Sequence, residues 1–212
     1  MAKNFDYSKI KYYLFYPIAR AIAKVGVKLF FRVKYVGKEN IPDSQGYILA
    51  SNHISNLDPV VHAVAMKSRI FYMGKAELFE NRFAAFFVKR LQGFPVNRSR
   101  GDLSAIEYAI RVVNEGNILG IFPEGTRSKI GKPLPPKAGI ALIANKTGAD
   151  VLPVSVYCEG KVRLFKRITV RFGELIKNEE LAIENAKASE LKRATHVVMD
   201  KIVAMWEEGH CK

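Results

Sequence analysis

Short apolar runs alternate with helical patterns through the middle of the chain. Runs of aliphatic, β-branched and aromatic residues predict buried strands over residues 46–51, 69–73, 117–122, 151–157 and 168–172. Apolar residues at helical spacing predict helices over residues 77–90, 102–115, 137–147 and 189–207. We expect Asp102 to cap the second of these helices and Gly148 to close the third. Strands that alternate with helices indicate an α/β sheet.

A different pattern marks the start of the chain. Residues 7–32 predict one or two helices, with Pro17 at a helix start or at a kink. One side of this segment is apolar and the roughly opposite side is basic, with Ile18, Ile22, Val25 and Leu29 set against Arg20, Lys24 and Lys28. The pattern is typical of a helix that lies on an anionic membrane, and it also fits a helix packed on its own domain with a solvated basic edge.

Charge and composition narrow the classes of partner. The chain has 34 Lys and Arg against 20 Asp and Glu, a formal net charge of +14. Such a surplus implies an anionic partner, which is a nucleic acid, a phospholipid surface or a phosphorylated substrate. No helix-turn-helix, RNA-recognition or zinc-finger signature accompanies the charge, so we do not expect nucleic acid. Two cysteines, Cys158 and Cys211, exclude a disulfide framework and a zinc motif.

Chemistry-bearing residues follow the first predicted strand. His53 and Asp58 would point about 140° apart on a helix, so they meet only in a turn or in a turn that enters a helix. Ser55, Asn56 and Pro59 favour that conformation. A carboxylate on one imidazole nitrogen leaves the other nitrogen to act as a general base. The alternative is that Asp58 caps a helix and His53 is satisfied by the backbone.

Three further segments carry polar or turn-forming residues at strand ends, namely residues 93–98, 122–128 and 151–154. In the first, a short strand leads Arg98 into a loop. In the second, Arg127 can bind a phosphate through two hydrogen bonds, and Gly125 lets backbone N–H groups approach an anion. Alternatively, Glu124 and Arg127 form an ion pair that stabilises the turn. Pro153, in the third, indicates a sheet edge or a bulge.

Taken together, these segments resemble the glycerolipid acyltransferases. The order and spacing match in Asn52-His53 with Asp58, in residues 93–98, in the Phe-Pro-Glu-Gly-Thr-Arg-Ser of residues 122–128 and in Leu152-Pro153-Val154. Residues 73–78, which include Lys75, also resemble the family pattern, whereas Asn97 stands where many relatives carry Asp. The resemblance covers roughly residues 33–175 and is strongest to the bacterial lysophosphatidate acyltransferase branch. It implies a single-domain mixed sheet flanked by helices and preceded by an amphipathic helical segment.

The resemblance also implies a mechanism. His53 would take the proton from the sn-2 hydroxyl of a lysophosphatidate, and Asp58 would orient His53. The acyl donor would be a thioester of acyl-carrier protein or coenzyme A, with no metal and no cofactor. The residues implied in substrate binding are Lys75, Arg98, Glu124, Gly125, Thr126 and Arg127. Within the same class, the acceptor is alternatively glycerol 3-phosphate or another lysolipid, and outside it the chain is an inactive phospholipid-binding protein.

The charged partners of this mechanism suggest where the protein works. No stretch of the sequence approaches the roughly 18 uncharged apolar residues of a transmembrane helix. We therefore expect peripheral binding to an anionic membrane on its cytoplasmic face. Residues 1–32 would form the membrane-docking segment, and residues 33–212 would form the catalytic domain.

Several other side chains are interpreted as structural. The aromatic stripe on the helix predicted over residues 77–90 usually indicates core packing, although it would also suit an acyl groove; it comprises Phe79, Phe83, Phe86 and Phe87. Cys158 lies on an apolar strand and is expected to be a packed thiol rather than an acyl carrier. His62, His196 and His210 have no evident partners in the sequence and are expected to be structural or exposed.

Overall fold

The computed structural model describes residues 5–43, 46–97 and 102–211. Its strands are β1 (Arg32–Val36), β2 (Ile48–Ser51), β3 (Ile70–Lys75), β4 (Gly93–Val96), β5 (Ile118–Ile121), β6 (Val151–Tyr157) and β7 (Arg167–Phe172). They form a seven-stranded sheet in the order β1-β7-β6-β2-β5-β3-β4. Strands β2 to β6 are parallel, whereas β7 pairs antiparallel with β6 and parallel with β1.

Helices cover both faces of this sheet. They are α1 (Phe15–Phe30), α2 (Asp58–Ala65), α3 (Arg82–Arg90), α4 (Leu103–Asn114), α5 (Gly139–Thr147) and α6 (Ala188–Glu207). Helices α4, α5 and α6 share one apolar core with side chains such as Ile48 and Ala50. Helices α1 and α2 share a second core with Leu49, whose side chain points to the opposite face of the same strand. The predicted mixed α/β sheet flanked by helices is therefore confirmed.

The start of the chain differs from its prediction. Helix α1 begins only at Phe15, and the described residues before it, 5–14, have no regular secondary structure. Tyr7 donates a hydrogen bond to the Pro95 carbonyl at 3.0 Å, and its own carbonyl accepts one from Arg111 at 2.8 Å. These long-range contacts hold residues 5–13 along the α4 side of the molecule in place of a further helical turn.

Helix α1 combines the two alternatives left open by the sequence. It packs on the domain through Tyr16 and Val27, and Arg20 turns inward to donate hydrogen bonds to the carbonyls at the end of α2. The predicted apolar stripe is nevertheless exposed, as Ile22 shows at 66%. Within the described ranges, no helix is long and apolar enough to cross a membrane. Separate membrane docking by residues 1–32 stays a prediction.

Of the predicted aromatic stripe, the three residues on α3 are not core, so the core prediction was wrong for them, whereas Phe79 precedes α3 and is half-buried. Phe83 is 74% exposed, and Phe86 and Phe87 are also exposed. The helix packs instead through its small residue Ala85, the one side chain of α3 that is buried. The ring centroids of Phe15 and Phe87 lie 6.3 Å apart, so the aromatic face of α3 adjoins α1.

Pro153 lies in the interior of the sheet, because β6 runs between β2 and β7. Pairing with β7 begins at Val154, opposite Phe172. The Pro153 carbonyl accepts a hydrogen bond from Gly173 just beyond the end of β7. The missing N–H of proline therefore falls where the partner strand has ended, which corrects the predicted edge position.

Candidate active site

Two neighbouring strand ends build the site. Strands β2 and β5 are parallel and adjacent, so the residues that follow them meet at the same edge of the sheet. His53 follows β2 and Phe122 follows β5. The two rings stack, with centroids 3.9 Å apart and planes 15° apart. The phenyl ring thereby forms one wall against the imidazole.

The segment from His53 to Asp58 is a turn that enters a helix, as the sequence predicted. Asp58 is the first residue of α2 and its side chain is 1% exposed. Its Oδ2 lies 2.8 Å from Nδ1 of His53 and accepts hydrogen bonds from the backbone N–H groups of Ile54 and Ser55, each at 2.8 Å. The carboxylate therefore closes the turn around itself and holds the imidazole. With Nδ1 directed at Asp58, Nε2 is the nitrogen that can accept a proton.

The segment 122–128 holds the backbone of His53. The backbone N–H of His53 donates a hydrogen bond to Oε1 of Glu124 at 2.9 Å, and the His53 carbonyl accepts one from the N–H of Ser128 at 2.7 Å. Glu124 thus positions the histidine, in place of the alternative ion pair with Arg127. Two backbone hydrogen bonds on one residue therefore set the geometry of this strand end.

Gly125 and Arg127 lie on the outer side of this segment. Gly125 has φ of 67°, which favours glycine, and a Cβ there would lie 3.1 Å from the side chain of Lys137. The Arg127 guanidinium is exposed and donates to Oδ1 of Asn56 at 2.5 Å, within the turn between His53 and Asp58. The exposed Thr126 lies between them in sequence. The structure therefore brings the cation and the candidate base to one edge.

Lys75 and Arg98 are the two other predicted phosphate ligands. Lys75 is the last residue of β3, and its exposed ammonium pairs with the carboxylate of Glu77 at 2.9 Å. Arg98 lies outside the described residues. Asn97, which precedes it, donates its backbone N–H to Asp102 at 3.0 Å. Roles for Lys75 and Arg98 in substrate binding stay predictions.

Asn52 has a role that the sequence pattern did not reveal. This buried amide donates to the Val156 carbonyl at 3.0 Å and accepts from the Val156 N–H at 2.8 Å. The side-chain amide thus makes the two hydrogen bonds to β6 that a backbone would make in a sheet, and it links the end of β2 to β6. The amide fixes the point from which the His53 turn departs.

A second histidine, which is fully buried, lies behind the site. His62 is four residues beyond Asp58 on α2, and its Nδ1 lies 2.9 Å from the hydroxyl of Tyr72. Burial lowers the pKa of His62 to about 3, so the ring is neutral. The Tyr72 ring stacks on Phe122 at 5.5 Å. The sequence did offer a signal for His62: it lies four residues after Asp58, a spacing that places both side chains on one face of a helix.

Two cavities adjoin the site. A cleft of about 200 Å³ lies beside Phe122 and Gly125 and is lined by Met73, Val96, Lys137 and Ile140. An apolar groove of about 310 Å³ runs between α1, α2 and α3, lined by residues that include Phe15, Ile22, Pro59, Val60 and Phe87. The apolar groove begins beside Pro59, next to Asp58. Across the described ranges, no three His, Cys, Asp or Glu side chains converge as metal ligands would.

Known proteins share this arrangement. A family model described as acyltransferase matches residues 32–157, which include both strand ends of the site. The chain belongs to the acyltransferase family. The predicted resemblance is confirmed, and the acyltransferase is an enzyme.

Relatives of this acyltransferase carry more specific names. This chain is 36% identical over 141 residues to the 1-acyl-sn-glycerol-3-phosphate acyltransferase of Bacillus subtilis. The aligned region covers 66% of this chain and 70% of that protein. The chain is 33% identical over 147 residues to the protein of that name from Borreliella burgdorferi, covering 68% and 59% respectively. The crystal structure of the 1-acyl-sn-glycerophosphate acyltransferase of Thermotoga maritima superposes with a TM-score of 0.71 at 25% identity, over 92% of this chain and 80% of that one.

Glu124 gives the acyltransferase a pH-dependent stability. Burial raises the pKa of this carboxyl from 4.5 to about 7. The folded state then keeps a proton that the unfolded chain releases, so stability falls as the pH rises from about 4.5 to about 7. Glu124→Gln keeps the acceptor for the His53 N–H and carries no charge. We expect the melting temperature of Glu124→Gln, relative to that of the wild type, to be several degrees higher at pH 8 than at pH 5, at about 2–4 °C per kcal/mol.

Thermal unfolding followed by circular dichroism measures this difference. Glu107→Gln, at an exposed position on α4, is the matched control and should follow the wild type at both pH values. Parallel melting curves for Glu124→Gln and the wild type would show that the carboxyl does not titrate in this range.

Proposed function

We propose that this acyltransferase transfers an acyl chain from a thioester to the sn-2 hydroxyl of 1-acyl-sn-glycerol 3-phosphate, giving phosphatidic acid. The observation that carries the proposal is the His53–Asp58 pair, 2.8 Å apart, at the strand edge that also bears Arg127. A base and a cation at one edge suit an acceptor that has both a hydroxyl and a phosphate. The names of the relatives agree with this acceptor.

The base is Nε2 of His53, which takes the proton of the acceptor hydroxyl as its oxygen attacks the thioester carbonyl. Asp58 stabilises the imidazolium that forms, because its carboxylate lies against Nδ1. A C–O bond forms and a tetrahedral oxyanion results. When the oxyanion collapses, the C–S bond breaks, and the leaving thiolate takes the proton from His53. No acyl-enzyme is required, and burial raises the pKa of the buried thiol Cys158, which disfavours a nucleophilic thiolate.

Arg127 provides the binding site for the acceptor's phosphate. Its guanidinium is exposed, and its contact with Asn56 keeps it beside the turn that carries the base. A planar guanidinium can offer two parallel hydrogen bonds to a phosphate. Arg98 and Lys75 would add positive charge, and Glu124, Gly125 and Thr126 would shape the pocket.

The lipid substrate places the enzyme at a membrane. Helix α1 exposes its apolar stripe, and the apolar groove opens between α1, α2 and α3. We propose that α1 lies on the cytoplasmic face of an anionic membrane, so that the acyl chain of the acceptor enters the apolar groove without crossing water. Buried apolar area and attraction between basic residues and anionic lipid would together support this binding.

A purified-protein assay tests the proposed function. The full chain is supplied with 1-acyl-sn-glycerol 3-phosphate or glycerol 3-phosphate, each with an acyl-carrier-protein thioester and a coenzyme A thioester. We expect phosphatidic acid from the lysolipid with at least one donor. Product from glycerol 3-phosphate alone would move the enzyme to the alternative acceptor. Absence of turnover in all four combinations, with lysolipid binding retained, would indicate an inactive lipid-binding protein.

In the same assay, Arg127→Ala should raise KM for the lysophosphatidate roughly ten- to a hundredfold, because a charge-assisted hydrogen bond is typically worth about 1.5–3 kcal/mol. The KM for the thioester should change little. Lys129→Ala, which removes another exposed cation from the same loop, is the control. Equal weakening of donor and acceptor would mean that Arg127 serves the turn through Asn56 and does not bind the phosphate.

A further inference from the structure

The loop between β6 and β7 exposes two large apolar side chains. Leu164 and Phe165 are each 60% exposed. Phe165 also has φ of 62°, a left-handed conformation that is a marked outlier for an aromatic residue. Such a conformation persists only where the surroundings hold it, and it occurs disproportionately at functional positions. The fold therefore presents this pair to solvent at a strained turn.

Contacts with the end of α1 hold the turn in place. The Phe165 N–H donates to the Phe30 carbonyl at 2.7 Å, and the two rings lie 6.5 Å apart. The N–H of Arg32 donates to the Lys166 carbonyl at 3.2 Å, where β1 begins to pair with β7. The exposed loop pair thus continues the apolar surface of α1 beyond the last turn of that helix.

Basic residues surround the loop pair. Lys161, Arg163 and Lys166 are all exposed. Among the described residues, none of the ion pairs involves these three cations. Leucine and phenylalanine flanked by Lys and Arg are the side chains that enter the headgroup region of an anionic bilayer. The chemistry of the loop therefore matches an anionic lipid surface.

We propose that residues 161–166 form a second membrane anchor, in which Leu164 and Phe165 insert into an anionic bilayer beside α1. This inference rests on the membrane docking of α1 in the proposed function. A single helix lying on a membrane leaves the protein able to roll about the helix axis. A second contact from the loop between β6 and β7, which adjoins the C-terminal end of α1, widens the membrane-bound surface and resists this rotation. Because β6 ends and β7 begins at the edge of the sheet that carries His53, the loop anchor turns the site toward the lipid.

Two loop variants test the inference in vesicle sedimentation with equal parts of phosphatidylglycerol and phosphatidylcholine. The first is Leu164→Gln with Phe165→Asn, since Asn tolerates a left-handed backbone. The second is Arg163→Gln with Lys166→Gln. We expect each double variant to bind roughly tenfold more weakly than the wild type. On vesicles of phosphatidylcholine alone, the charge variant should match the wild type.

Matched variants at the opposite edge of the sheet from His53 serve as controls. Val36→Gln removes a valine that is 36% exposed at the end of β1. Lys146→Gln with Lys192→Gln removes two exposed charges from α5 and α6. Both controls should bind vesicles as the wild type does. All variants should keep their rate on a short-chain, water-soluble lysophosphatidate without vesicles, which shows that the fold and the chemistry are intact.

A variant on α1, Ile22→Gln, separates this inference from the proposed function. Weaker binding by Ile22→Gln together with wild-type binding by both loop variants would overturn the second anchor and leave docking by α1 in place. Equal weakening by the controls would also overturn it. If the loop variants bound vesicles normally and raised KM only for the acyl-carrier-protein thioester, the loop would be a protein-docking surface and the membrane anchor would be wrong.

Insertion can also be observed directly with Leu164→Trp. The wild type has a single tryptophan, Trp206 on α6, which supplies the background emission. We expect the emission of the variant to shift to the blue on anionic vesicles, while that of the wild type stays constant. An unshifted spectrum from vesicle-bound variant would show that the loop remains in water.

Discussion

Replacing His53 with Ala is expected to lower kcat by roughly 10²–10⁴-fold, the range that a general base contributes. The KM values should change little, because in the proposed mechanism the imidazole accepts a proton and does not bind the phosphate. The fold should persist, since the backbone hydrogen bonds of His53 with Glu124 and Ser128 do not involve the ring. Steady-state kinetics with lysophosphatidate, together with a thermal melt, measure both effects.

The matched control for this substitution is His196→Ala, which removes an exposed histidine from α6. It should leave kcat unchanged. Imidazole added to the buffer should restore part of the rate of His53→Ala, because a small base can enter the space that the ring occupied. Turnover close to that of the wild type in His53→Ala would refute the role of His53 as the base.

Asp58→Asn should lower kcat by about 10²–10³-fold, because the neutral amide no longer stabilises an imidazolium. It should also lower the free energy of unfolding by about 1–3 kcal/mol, since three hydrogen bonds to one carboxylate oxygen lose their charge. Kinetics give the first quantity and denaturant unfolding gives the second. The KM for the thioester should change less than kcat.

Asp150→Asn is the control for Asp58→Asn. The Asp150 carboxylate also accepts a backbone hydrogen bond, from Asn178 at 3.0 Å, but it precedes β6 at the opposite edge of the sheet. This control should lose stability without losing kcat. If Asp58→Asn behaved in the same way, Asp58 would be a turn cap and would have no part in the proton transfer.

The site is built to keep one ring in one orientation. Asp58 holds the imidazole through Nδ1, Phe122 covers one face, and Glu124 and Ser128 hold the backbone. The contacts come from segments far apart in sequence that meet at adjacent strand ends. In the proposed mechanism, a base held in this way needs little reorganisation when it accepts a proton, which is how positioned groups accelerate reactions.

Local patterns were sufficient for much of the fold and for part of the site. Strand β6 and the caps at Asp102 and Gly148 follow their predictions, since each depends on a few neighbouring residues. The turn from His53 to Asp58 was predictable for the same reason. Its geometry is set within six residues, by turn formers and by a proline at the start of α2.

Contacts between distant segments were beyond the reach of these patterns. Strand β1 alternates basic and apolar residues and was not predicted, because it depends on pairing with β7, more than a hundred residues away. The exposure of the α3 aromatics depends on which face of a short helix meets the sheet. A periodic pattern shows that a face exists, but it does not show whether that face packs inward.

The sequence by itself determined the α/β class, the family and the turn that joins a histidine to an aspartate. Only the tertiary structure decided that Glu124 holds the His53 backbone, that Asn52 links β2 to β6, and that Phe165 adjoins the end of α1. The physical reason is chain distance. A motif of a few residues specifies its own geometry, whereas a contact between strand ends exists only once the sheet has brought those ends together.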